Sequence, residues 1–179
     1  MNAPRGGDVL LTADRSWLSR LIRGVTAAQW SADPDGTAWS HAAILVDGGA
    51  DWRALEVAPP VCTIERAGYY RDRRYVMLRP PLTEAAAREA ARRACSLVGV
   101  RYPLAELPAY ALVPRLRRWI AGDAERVCSG QVGWCLATAG LLWEDDYREP
   151  LEWDASLTPQ RIFTQAVRDG WEPVAEIGP

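Results

Sequence analysis

The sequence predicts an α+β domain on three observations: a short apolar strand near the start, a cluster of strand-like runs between residues 38 and 79, and helix-patterned segments on either side of that cluster. The opening strand is Val9-Leu10-Leu11, after Gly7-Asp8. Asp14 or Ser16 then caps a helix whose apolar positions, Trp17, Leu18, Leu21, Ile22 and Val25, recur at helical spacing. It is expected to end near Gly24 to Ala28, and Gln29 to Thr37, with its Asp-Pro-Asp-Gly, reads as loop. Three strands follow, Ala38 to Val46, Arg53 to Ala58 and Arg74 to Arg79, rich in residues that suit a sheet. Pro80-Pro81 stops the last of them. Thr83 caps a helix running to about Val98, with Glu84/Arg88 and Glu89/Arg93 spaced as i,i+4 pairs, an alanine-rich inner face and Gly99 as its stop.

Residues 100–122 hold three prolines and a short amphipathic piece around Arg115 to Ile120, which predicts an irregular connection. Cys128 opens a helix to about Ala139, closed by Gly140, with Val132, Cys135, Leu136 and Ala139 on one stripe. The acidic stretch Glu144 to Glu152 reads as a solvated loop. Thr158-Pro159 starts a last helix ending near Asp169-Gly170.

A chain of 179 residues, 49% hydrophobic and 25% charged, has the balance of one globular domain over 1–179. The net charge of -2 gives no basic field for nucleic acid or an anionic membrane. The first residues hold too short an apolar run for a signal peptide, and no segment reaches the roughly 18 apolar residues of a membrane span. A soluble, cytoplasmic protein is the expectation, with association with a virion or cell envelope left open. Four cysteines, at 62, 95, 128 and 135, form no CxxC pair, and one histidine cannot complete a common zinc set, so neither metal nor cofactor is expected. Cys62, Cys95 and Cys135 read as core residues.

The chemistry concentrates on three side chains. Gly48-Gly49 supports a tight two-residue hairpin turn, and centring the turn there sets His41 directly opposite Glu56. Opposed residues on one face have Cβ atoms about 4.5 to 5.5 Å apart, which lets a carboxylate orient an imidazole and stabilise its charged form. Cys128 stands at a helix start, where the dipole and unpaired backbone N–H groups favour a thiolate. The N–H groups of Cys128 and Ser129 are candidate oxyanion donors. Gly130 and Gly133 let that helix approach the sheet closely. Ser129 competes as a nucleophile, but no GxSxG elbow surrounds it. Tyr102 is a candidate for lining a substrate cleft, and Arg71-Asp72-Arg73-Arg74 reads as a solvated turn.

At these residues the chain resembles the permuted papain-like cysteine hydrolases, the YiiX/YaeF-type relatives of the NlpC/P60 superfamily. The matching segments, in order, are GDVLLTADRSWLSRLIRG, WSHAAILVDGG, ALEVA, GVRYPLAEL and VCSGQVGWCLATAGL, spanning roughly residues 7 to 140. As the permuted group requires, the histidine precedes the cysteine. The resemblance implies Cys128 as nucleophile, His41 as base and Glu56 as the orienting residue, on an antiparallel sheet or small barrel packed against the cysteine helix. It implies an amide or peptide-like substrate, such as a cell-wall peptide or a small acyl amide, with acyl transfer from a lipid as a variant. The rival is a non-catalytic binding or structural module of a phage particle or cell-envelope assembly. Thiol redox work would need a partner cysteine, and Cys135 lies about two helical turns from Cys128, too far for a bridge.

Overall fold

Five consecutive buried residues, Val9–Ala13, form β1, and an uninterrupted buried run belongs to a strand covered on both faces. In the computed structural model, which describes residues 2–13, 19–20, 39–102, 128–141 and 158–177, β1 is central. The other strands are β2 (His41–Leu45), β3 (Arg53–Glu56), β4 (Thr63–Arg66), β5 (Arg74–Arg79) and β6 (Glu172–Ile177). They form one six-stranded sheet in the order β4-β3-β2-β1-β5-β6, with every neighbouring pair antiparallel. A 3-10 turn, Ala67–Tyr70, joins β4 to β5. The helices are α1 (Glu84–Cys95), α2 (Cys128–Thr138) and α3 (Pro159–Arg168). Apart from Ser19 and Arg20, the early helix lies outside the described residues, as do the 29–37 loop, residues 103–122 and the acidic 144–152 stretch.

Strand alternation divides the core in two. One face carries Val9, Leu11, Ala42, Ile44, Leu55, Val76 and Leu78, and is covered by α1, α2 and α3 through small and aliphatic side chains such as Ala90, Ala94, Val132, Leu136 and Ile162. The other carries Leu10, Ala43, Leu45, Ala54 and Met77, packed with Trp52, Tyr70, Tyr75 and Val174. The helix signals act as read: Thr83 and Thr158 accept N–H bonds from Ala86 and Arg161 at 3.3 and 3.2 Å, and both i,i+4 pairs of α1 form. α1 stops at Cys95, short of Val98. The Ser96 hydroxyl donates to the Arg93 carbonyl at 2.6 Å and closes the last turn. Cys95 lies off the buried face of Ala87, Ala90, Ala91 and Ala94 and is exposed, a correction to its reading as a core residue. Cys62 and Cys135 are buried.

The hairpin register also departs from expectation. Ile44 pairs with Leu55 and Leu45 with Ala54, so the turn is centred beyond Gly48-Gly49 and His41 does not stand directly opposite Glu56. Asp47 accounts for the longer loop: it accepts the Arg53 backbone N–H at 2.7 Å and the Arg53 Nε at 2.6 Å, bracketing residues 47–53. Gly48 is held against the N-terminal segment, where an added Cβ would strike the Pro4 carbonyl, and the Gly49 N–H donates to that carbonyl at 3.0 Å. The register differs from the expected one by two residues, an even number that returns every side chain to its own face. His41 and Glu56 are therefore diagonal neighbours on one face.

Asp8, fully buried at the start of β1, accepts Arg79 Nε and Nη2 at 2.9 Å each, and the Arg5 backbone N–H at 2.9 Å. Arg79→Met leaves that carboxylate without its bidentate partner, and should lower stability by about 3 kcal/mol in urea unfolding. An unchanged midpoint would show that Arg5 alone suffices.

Candidate active site

His41 opens β2, opposite Thr12 of β1, at the end of the sheet where β3 finishes with Glu56. Its Nε2 lies 3.1 Å from Glu56 Oε2. The approach is off the N–H axis, so attraction between charges holds the pair more than an aligned hydrogen bond does. His41 also shares a side-chain hydrogen bond with Cys128. Cys128 is the first residue of α2, which lies against β2 and α1 with Gly130 and Gly133 both buried. The imidazole thus sits between a thiol and a carboxylate. Cys128 is 4% exposed and the His41 side chain 17%, leaving the ring a narrow opening to solvent.

Burial is the largest influence on all three groups and disfavours each charge. Their mutual contacts overcome it. Glu56 is held down at about 2 against burial by the His41 charge, a hydrogen bond from Tyr70 and the Arg73 guanidinium. His41 is raised well above its ordinary value, because Glu56 and then Cys128 favour the imidazolium despite desolvation. The Cys128 thiol is lowered against its burial by His41 and by the backbone N–H groups of Ala42 and Ser129. Cys62 moves the other way: burial pushes its thiol up, and the nearby Cys128 adds to that. All three shifts run toward the charged forms: thiolate, imidazolium and carboxylate.

Ser129 is buried, and its backbone N–H favours the Cys128 thiolate, as does that of Ala42, a residue absent from the sequence reading. Tyr102 is buried in the helix-covered cluster that includes Cys128, and its backbone N–H donates to the Pro60 carbonyl at 3.0 Å. Two residues around Glu56 also went unread. Tyr70, fully buried, donates its hydroxyl to Glu56 Oε2 at 2.6 Å, and Arg73 Nη1 lies 3.6 Å from Oε1. Only part of the arginine-rich turn is solvated. Arg71, Asp72 and Arg74 are exposed, with Arg74 5.0 Å over the Trp39 ring, while Arg73 turns inward over the Tyr69 ring at 4.2 Å. A signal was present in two adjacent tyrosines inside a charged turn, since a tyrosine that buries its ring must place its hydroxyl on a partner.

No family model matches the chain, and no curated protein matches it. Among solved structures, it is similar to one described as metalloprotein YiiX of Escherichia coli O157:H7, with 20% identity over 98% of this chain and 99% of that one and a TM-score of 0.63. The residues here do not suit a metal. Among the described residues, no group of three or more His, Cys, Asp or Glu could hold an ion. At this identity the likeness carries the fold alone: the chain has a YiiX-like, papain-like α+β fold, with an antiparallel sheet packed against the helix that begins at Cys128.

Proposed function

We propose that the chain is a cysteine hydrolase that cleaves an amide or peptide-like bond, with Cys128 as nucleophile, His41 as acid and base, and Glu56 orienting His41. The observation that carries this reading is the placement of one imidazole between a thiol and a carboxylate, with the thiol lowered and the imidazole raised. The Cys128 thiolate attacks the substrate carbonyl, and the displaced electron pair rests on its oxygen beside the backbone N–H groups of Cys128 and Ser129. His41 gives its proton to the leaving amine as the C–N bond breaks, leaving a thioacyl enzyme. Water, deprotonated by His41, then attacks the thioester and releases the carboxylic acid, returning the proton to the Cys128–His41 pair. A cell-wall peptide or small acyl amide is the proposed substrate class, and a lipid acyl donor would enter by the same first step.

The test begins with thiol chemistry. Because Cys95 is exposed, the measurement belongs in a Cys95→Ser background. Iodoacetamide should alkylate Cys128 at about pH 6 roughly tenfold faster than it does in the His41→Ala variant, with the site located by peptide mass spectrometry. Hydrolysis of a panel of N-acyl aminocoumarin amides supplies the second readout. An inert Cys128, or one whose labelling ignores His41→Ala, sinks the reading. Labelling without turnover across the panel favours the binding module.

A further inference from the structure

We propose that Tyr70 is a positioning residue of this site: its hydroxyl, with the Arg73 guanidinium, clamps the Glu56 carboxylate so that the oxygen facing His41 stays in place. The inference rests on the triad reading and extends it to a segment with no part in the chemistry.

A carboxylate at the end of a flexible side chain orients an imidazole only if its own rotation is stopped. Glu56 Oε2 receives the Tyr70 hydroxyl at 2.6 Å and stands 3.1 Å from His41 Nε2, so one oxygen serves both. Oε1 faces Arg73 Nη1 at 3.6 Å. Rotating the carboxylate would break all three contacts. Both clamping groups come from the short segment between β4 and β5, where the Arg73 backbone N–H donates to the Tyr70 carbonyl at 3.0 Å and fixes one relative to the other. The Tyr70 ring lies 5.3 Å from that of Trp52 and 5.1 Å from that of Tyr69, so the ring has a packing role separable from that of its hydroxyl. The ionisable groups around Glu56 are His41 from β2, Tyr70 from the 3-10 turn and Arg73 from the turn before β5. Cys128 of α2 lies beyond His41, and Tyr69 lies against both Tyr70 and Arg73.

The chain has one histidine, so its ring resonances report this site alone. In the full-length protein labelled at histidine, a pH titration by NMR should give Tyr70→Phe a His41 pKa lower than wild type by about half a unit or more. Arg73→Lys, which keeps the charge but loses the fixed guanidinium, should move it the same way by less, because that contact is longer and partly exposed. The lower limb of the Cys128 alkylation profile should rise in step, which the loss of ring packing alone would not produce. Wild-type titration in Tyr70→Phe, alongside a clear fall in Glu56→Gln, overturns the role of Tyr70 and leaves the triad standing. A His41 pKa that ignores Glu56→Gln defeats the triad reading, and this proposal with it. If Tyr70→Phe does not fold, the charge-conserving Arg73→Lys decides, and no shift there refutes the clamp.

Discussion

Replacing Cys128 with alanine should lower amide hydrolysis by about four orders of magnitude or more, to the level left by binding and backbone donors alone. No other described side chain can take its place. Ser129 is buried behind its own N–H contact to Cys128 Sγ, and burial raises the Cys62 thiol. Cys128→Ser is the stricter variant. It keeps a hydroxyl at the same point, but a serine hydroxyl does not give up its proton to an imidazole at rest, so activity should still fall by about a thousandfold. Steady-state hydrolysis with an N-acyl aminocoumarin amide supplies the rate, and intact-mass spectrometry should find the acyl adduct on wild type and not on Cys128→Ala. Activity within tenfold of wild type in either variant would remove the thioacyl mechanism.

Glu56→Gln should lower turnover about a hundredfold and change how stability depends on pH. The amide can still accept the Tyr70 hydroxyl, but it carries no charge to hold the imidazolium. In the folded protein Glu56 is depressed from 4.5 to about 2, and its side chain is only 4% exposed. The difference corresponds to about 3 kcal/mol, fully present above pH 4.5 and lost as pH falls toward 2. His41 is raised above 6.5, so its contribution is fully present below that value and is lost as pH rises through the folded pKa. These are two views of one attraction and do not add. Denaturant unfolding should find wild type losing stability as pH falls from about 4.5 toward 2, a flank flattened in Glu56→Gln, while at higher pH the raised His41 and the lowered Cys128 act in opposite directions. Parallel curves for the two proteins would place the stabilisation elsewhere.

The sequence made the pairing of His41 with Glu56 legible through parity alone. The predicted register was wrong by two residues, yet strands alternate with period two, so both residues kept the same face. The exact register was not legible, because Pro4 and Arg5 hold the loop from a distant part of the chain. Helices α1 and α3 were read from threonine caps and glycine stops, which are local signals. β4 and β6 were missed because Thr-Ile-Glu-Arg and Glu-Pro-Val-Ala-Glu-Ile mix charge and proline in the way edge strands tolerate, and their apolar signal is weak. Tyr70 and Arg73 were hidden by their neighbours Arg71, Asp72 and Arg74, whose charges make the turn look solvated. Only the closed sheet end gives two of those residues something to face.

His41 and Glu56 belong to one hairpin, whereas Cys128 reaches them at the tip of a helix that comes after α1 in the chain. The hairpin can form from local contacts, but the thiol meets the imidazole only when α2 has docked on β2. Until then it is an ordinary thiol. On the proposed mechanism assembly is the arming step, and the rate at which Cys128 becomes alkylatable during refolding should clock the docking of α2.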